Sequence, residues 1–219
     1  FKDSAYLIFH FPLFDAVRKE FKTVEVDFIL SKDVLITVHY DTVSPLMEIS
    51  RVFESHALAK ESGFTTPYSV FFRIMRALYE FVTYRLDTIH LAMRAVESEI
   101  FKKRAENYDL VRRISHIRTD ILDFRRAIEP HRGMLESLTH TSARFIGKDL
   151  HAYHNYLIGE HFKLSAQLEN DKDTIESIQA TNDSLLSNRA NDIMKTLTIM
   201  AFVTFPLMLF TGIFSMNTR

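Results

Sequence analysis

Thr196-Leu-Thr-Ile-Met-Ala-Phe-Val-Thr-Phe-Pro-Leu-Met-Leu-Phe-Thr-Gly-Ile-Phe214 is a run of 19 residues without a charged side chain. A helix crossing the hydrocarbon core of a bilayer needs about 20 such residues. A buried core helix of this length would need a large domain around it, so a membrane span is the better reading. Nearly all of the charged residues precede the run, and Lys195 and Arg189 flank it on that side. The positive-inside tendency then puts the large preceding part in the cytoplasm, against a single Arg219 on the far side. The expected location is the cell (inner) membrane.

One face of this segment is not purely lipid-like. Asn191, Met194, Leu197, Ala201, Phe205, Met208 and Gly212 follow one another at spacings of three and four. Small and flexible residues on one stripe suit close contact between identical helices, or a pore lining. Thr198, Thr204 and Thr211 are expected to bond their own helix backbone. Pro206 lacks an N–H and frees the carbonyl of Phe202.

Upstream of the run no proline occurs back to Pro130. One helix is therefore expected from near Lys148 to Phe214, about 100 Å long at 1.5 Å per residue. Its early stripe is Leu150, Tyr153, Leu157, Leu164, Leu168, Ile175, Ile178 and Leu185. Gly159 weakens it locally by roughly 1 kcal/mol relative to Ala. Before Pro130, Leu110, Ile114, Ile117, Ile121, Phe124 and Ile128 alternate spacings of four and three, a coiled-coil-like seam. Met134–Phe145 is expected to be helical again. Thr66-Pro67 reads as a cap and first turn. The stripe that follows, Phe71, Ile74, Leu78, Phe81, Ile89, Met93, Val96 and Ile100, predicts a helix to about residue 104. Pro45–Ser55 reads as a short helix with Ser44 as its cap.

The first 40 residues are rich in β-branched and aromatic types. Ala5–Phe11, Thr23–Leu30 and Val34–Tyr40 read as strands, with a turn at Ser31-Lys32-Asp33. Val24, Val26 and Phe28 share one face of the second strand and Glu25 and Asp27 the other. The predicted class is α+β, predominantly α. It comprises a small, partial N-terminal α/β domain (residues 1–60), a long-helix funnel and stalk (61–190), and a transmembrane helix continuous with the stalk (191–219).

A net charge of −1 gives no basic footprint for nucleic acid, and the lack of cysteine excludes disulfides and thiolate metal sites. No secretory leader is legible at Phe1, and both ends read as cut, as in a piece of a longer chain. No glycine-rich phosphate loop, catalytic triad or paired-carboxylate pocket is legible, so an enzyme is not expected. His151, His154 and His161 share roughly one helix face, with Glu160 nearby. They are candidate ligands for Zn²⁺ or Co²⁺, weighed against a solvated or inter-helix polar face. Glu169, Asp171, Asp173 and Glu176 read as a solvated acidic face before a cation attractor. Asp120, Asp123, Arg125 and Arg126 read as surface ion pairs.

Pro206-Leu-Met-Leu-Phe-Thr-Gly-Ile-Phe-Ser-Met-Asn217 resembles the end of the first transmembrane helix of the CorA family of magnesium and divalent-cation transporters. The family's hallmark there is Gly-Met-Asn after a Pro-Leu-x-x-x-x-Gly-Ile stretch. Asn191-Asp-Ile-Met-Lys-Thr-Leu-Thr-Ile199 resembles the entry into that helix. Leu122-Asp-Phe-Arg-Arg-Ala-Ile-Glu-Pro-His-Arg132 resembles the long cytoplasmic helices, and Val24-Glu-Val-Asp-Phe-Ile with Leu35-Ile-Thr-Val-His39 resembles the small α/β domain. Ser215 departs from the motif, standing where the family has Gly, whereas Met216 and Asn217 match.

The resemblance implies a homopentamer in the lipid bilayer, multi-pass in the full protein. Asn217 of each subunit would contribute to a ring of amide oxygens at the outer mouth. The seven-residue stripe from Asn191 to Gly212 would line the pore, with Met194 and Leu197 as an apolar constriction. Mg²⁺ would be the transported and regulatory ion, since it is hard, oxygen-seeking and slow to dehydrate. The preference among Mg²⁺, Co²⁺, Ni²⁺ and Zn²⁺ is left open. The rival reading is a membrane-anchored coiled-coil oligomer or adaptor that conducts no ions.

Overall fold

The computed structural model describes residues 4–15, 20–54, 66–101, 108–142 and 150–215. Three strands come first: β1 (Ser4–Asp15), β2 (Glu20–Ser31) and β3 (Leu35–His39). They form an antiparallel meander in the order β1-β2-β3, with Phe9 opposite Val26 and Ile29 opposite Ile36. The three strands stand where the sequence places them, but β1 and β2 run longer and β3 is one residue shorter at each end. Pro12, in β1, is compatible with a strand because β1 is an edge, where a missing N–H costs no ladder bond. The turn at Ser31 closes by Ser31 N–H donating to the Val34 carbonyl at 2.9 Å.

The alternation in β2 decides which face is buried. Val24, Val26, Phe28 and Leu30 are buried, while Glu25 is exposed and Asp27 accepts a 2.8 Å bond from the Tyr6 hydroxyl on the outer face. β1 contributes Leu7, Phe9, Phe11 and Leu13 to the same inner face.

Helix α1 (Ser44–Glu54) follows the sheet. Helix α2 (Pro67–Ile100) starts at the expected cap: Thr66 and Ser69 exchange side-chain-to-backbone bonds of 3.1 Å each, and Pro67 opens the first turn. Its predicted stripe is buried from Phe71 to Ile100, except that Phe81 is only partly covered. The helix ends at Ile100, and the expected extension over 102–104 lies outside the described residues. Helix α3 (Tyr108–Ile128) buries all six residues of its predicted seam.

The chain breaks for two residues at Glu129 and Pro130, and α4 (His131–Ser142) begins at once, three residues before its expected start. The ends expected for α1 at Ser55 and for α4 at Phe145, and the start of the last helix at Lys148, lie outside the described residues. Helix α5 (Leu150–Ser215) is the 66-residue helix expected from the proline-free run. The inner face of the sheet, α2, α3, α4 and the first half of α5 share one contiguous hydrophobic cluster, from Leu7 through to Ile178.

Candidate ion pathway and its supports

The two halves of α5 lie in different surroundings. Up to about Ile178 the helix packs one stripe: Leu157, Leu164, Leu168, Ile175 and Ile178 are buried, Leu185 partly so, and Tyr153 is 40% exposed at the upper end. From Ala190 to Ser215 almost every residue is exposed, apolar or not. This stretch is long and apolar enough to cross a membrane, and none of its most apolar window is buried within the chain.

All seven residues of the predicted stripe lie on this stretch. Asn191, Met194, Leu197, Phe205, Met208 and Gly212 are exposed, and Ala201 is partly covered. Small Ala201 and the ring of Pro206 leave a shallow apolar groove, also lined by Thr198, Phe202, Phe205 and Leu209. The helix runs on through Pro206. The threonines behave as expected: Thr198 donates to the Met194 carbonyl at 2.8 Å, Thr204 to Met200 at 2.9 Å and Thr211 to Leu207 at 3.1 Å. Their hydroxyls are thereby satisfied inside an apolar segment. Ser215 is the last residue of α5, and Met216 and Asn217 lie outside the described residues.

The histidine face of the stalk is turned inward. His154 and His161 are both buried, and the side chain of His151 lies outside the described residues. His161 Nε2–H donates at 3.0 Å to the carbonyl of Ile128, the last residue of α3. It therefore caps one of the carbonyls that a helix end leaves unpaired. Burial pushes the His161 imidazole below its ordinary pKa, keeping it neutral for that role. Among the described residues, no three His, Asp or Glu side chains gather as a metal site.

Sequence reasoning missed His131, at the start of α4. It is fully buried, with Phe9 and Phe11 edge-on at 4.9 and 5.0 Å. Its Nε2–H donates to the His10 carbonyl at 2.9 Å, which leaves Nδ1 to accept from the Tyr79 hydroxyl at 3.2 Å. One neutral tautomer thus ties α4 to β1 and α2. Burial pushes its pKa down to about 3 and raises that of the Tyr79 phenol. The only signal in the sequence was Pro130 directly before it, which is read more naturally as a break.

The acidic run divides. Asp173 and Glu176 are exposed. Glu169 pairs with Arg125 of α3 at 2.6 Å and with Lys172 at 3.2 Å. Asp171, in contrast, is buried against His90 of α2. Arg126 keeps the expected local pair with Asp123 at 3.3 Å, whereas Arg125 reaches across to the stalk.

The profile of the CorA-like Mg²⁺ transporter proteins matches residues 1–219, the whole chain. The chain belongs to the CorA-like family. It is 26% identical over 214 residues to YfjQ of Bacillus subtilis, named for metal ion transport, covering 95% of this chain and 64% of that protein. It is 22% identical over 220 residues to the cobalt/magnesium transport protein CorA of Thermotoga maritima, covering 99% of this chain and 61% of that one. The chain thus spans somewhat under two thirds of the length of these curated relatives. Its fold is that of the CorA magnesium transporter from Methanocaldococcus jannaschii, with a TM-score of 0.84 at 17% identity over 99% of this chain and 67% of the other. The expected CorA-type fold, mostly helical with a small sheet and one long apolar helix, is the observed one.

Proposed function

We propose that this chain is the stalk and first membrane helix of a CorA-like divalent-cation channel. One observation carries the reading: a single helix leaves a packed core and continues, unpacked and uncharged from Thr196, toward Ser215-Met216-Asn217. A helix apolar all round needs lipid or copies of itself as neighbours. Copies arranged about an axis, five by resemblance, would turn the Asn191-to-Gly212 stripe inward and leave the remaining faces to lipid. The preceding residues would then be cytoplasmic, and the full protein multi-pass. Mg²⁺ is the proposed cargo, with Co²⁺, Ni²⁺ or Zn²⁺ as competitors. Five neutral Asn217 amides would bind a hydrated Mg²⁺ without holding it.

Ser215 favours one second reading. Its hydroxyl puts a polar side chain, at the last residue of α5, where the family motif has glycine. A pore with this change would be an oligomeric anchor without flux. The experiment is Mg²⁺ and Zn²⁺ uptake into liposomes holding the full-length protein, wild type beside Asn217→Ala and Ser215→Gly. The channel reading expects uptake by the wild type and its loss in Asn217→Ala. Uptake that appears only in Ser215→Gly would sink it in favour of the anchor.

A further inference from the structure

Helices α2 and α5 run side by side in the same direction. Phe72 packs on Tyr153 with ring centroids 4.6 Å apart, and further along His90 meets Asp171. The Asp171 side chain is only 9% exposed. Its Oδ1 accepts from His90 Nε2–H at 2.7 Å, while Oδ2 is buried without a hydrogen-bond partner. Asp171 lines a cavity of about 260 Å³ between the two helices. Met93 and Ile178, both buried, give this cavity an apolar wall. Thr174, also at the cavity, donates its hydroxyl proton to the Asn170 carbonyl at 2.8 Å, so its oxygen is left to accept. Glu97 and Arg94 border the cavity from exposed positions on α2.

We propose that this cavity binds a short aliphatic diamine, with one ammonium on Asp171 and Thr174, the other on Glu97, and the methylenes against Met93 and Ile178. A buried carboxylate with an orphaned oxygen is costly unless a donor or a cation meets it. The single His90 bond serves Oδ1 and leaves Oδ2 bare. Burial accordingly raises the Asp171 carboxyl above its usual range, although His90 draws it back. A cation at Oδ2 would draw it back further.

The walls decide which cation fits. A directly ligated metal ion takes several protein donors, and among the described residues no three His, Asp or Glu side chains gather to supply them. An ammonium brings three N–H donors of its own and needs only a few acceptors. Its methylenes gain from the apolar wall that a hydrated ion would not use. Length follows from the helix. Glu97 lies seven residues beyond His90, the level of Asp171, or about 10 Å along α2. Hydrogen bonds of about 2.8 Å at each end leave about 5 Å between the two nitrogens, the reach of a three- or four-carbon diamine. Arg94 opposes binding from the mouth, and Asp171 with Glu97 outweighs it by one negative charge.

The test is a calorimetric titration of the full-length protein, in nanodiscs of zwitterionic lipid, with 1,4-diaminobutane and with butylamine. The wild type should bind one diamine per chain. Asp171→Asn should weaken both amines roughly tenfold or more, since it removes a buried charge-assisted bond. Glu97→Gln, at an exposed position, should weaken the diamine about threefold and leave butylamine unchanged, because the monoamine has nothing to place there. No binding by the wild type overturns the site, as does undiminished binding in Asp171→Asn. Full displacement of the diamine by an equal concentration of Mg²⁺ overturns the organic ligand in favour of a general cation site. Should Asp171→Asn fail to fold, Arg94→Gln serves instead: it should tighten the diamine about threefold, and an affinity unmoved in both Arg94→Gln and Glu97→Gln overturns the proposal. The readout is binding and holds whether or not the chain conducts ions.

Discussion

The stalk half and the membrane half of α5 are one uninterrupted helix built by two different sequence rules. Between Leu157 and Ile178 apolar residues recur on one stripe, and that stripe is buried against α2, α3 and α4. Between Thr196 and Phe214 they occur all round, and the chain itself covers almost none of them. The first half is amphipathic because water covers its other face. The second has no polar face, the pattern of a helix that is apolar all round and long enough to span a membrane. One unbroken helix joins the folded body to the candidate membrane segment.

One truncation in each half separates the two rules. Leu164→Ala empties part of a filled core and should cost about 2–5 kcal/mol, read as a lower unfolding midpoint of the detergent-solubilised protein. Leu207→Ala, at a residue 59% exposed, should leave that midpoint nearly unchanged. Its expected effect is on membrane insertion, by about 0.5 kcal/mol. Equal losses at both sites would mean that the membrane half is packed into the same cooperative unit.

The next test concerns the polar node that supports the stalk half. His131 is neutral in the folded state well below its ordinary pKa, so the unfolded chain binds the proton first as pH falls. Stability from this residue is present above about pH 6.5 and is lost progressively toward about pH 3, by at most about 1.4 kcal/mol per pH unit. Urea unfolding between about pH 7 and 5 should show that slope, and His131→Asn should flatten it. His161, lowered in the same direction, adds a smaller share. The membrane half, without a titratable group between Thr196 and Phe214, should contribute none.

Smaller again is the cap of α2. Thr66→Ala removes the acceptor for the Ser69 N–H and should cost about 1 kcal/mol. Thermal unfolding should record this as a drop of about 2–4 °C for a chain of this size. Thr66→Asp should retain most of the loss-free behaviour, since a carboxylate accepts the same bond. An unchanged midpoint in Thr66→Ala would mean that this end of α2 lies outside the cooperative core.

Most of the fold was legible because it rests on periodicity. The seam of α3, the stripe of α2 and the alternation of β2 each repeat a spacing that only one element satisfies. The 66-residue helix followed from what is absent, a proline between Pro130 and Pro206. The supports around the candidate pathway were much less legible. Asp171 lies within an acidic run that reads as a solvated face, yet it is buried and meets a His90 that is 81 residues away. Likewise His131 and His161 donate to backbone carbonyls, of His10 and Ile128, which carry no sequence signal at all. Periodicity reports which face is covered; it does not report which polar group waits beneath the cover.

Gly159 lies in the stalk half, exposed, and a Cβ added there would meet nothing within 4 Å. Helical propensity alone then favours Gly159→Ala by about 0.5–1 kcal/mol. A protein that is monomeric at this level should show a midpoint raised by about 2 °C. The opposite sign would be more informative. A destabilised Gly159→Ala oligomer would mean that another backbone approaches this face closely in the assembly, as small residues permit. The outer side of the stalk would then be a contact between copies, and the absence of a covering partner would cease to distinguish the membrane half from the rest of α5.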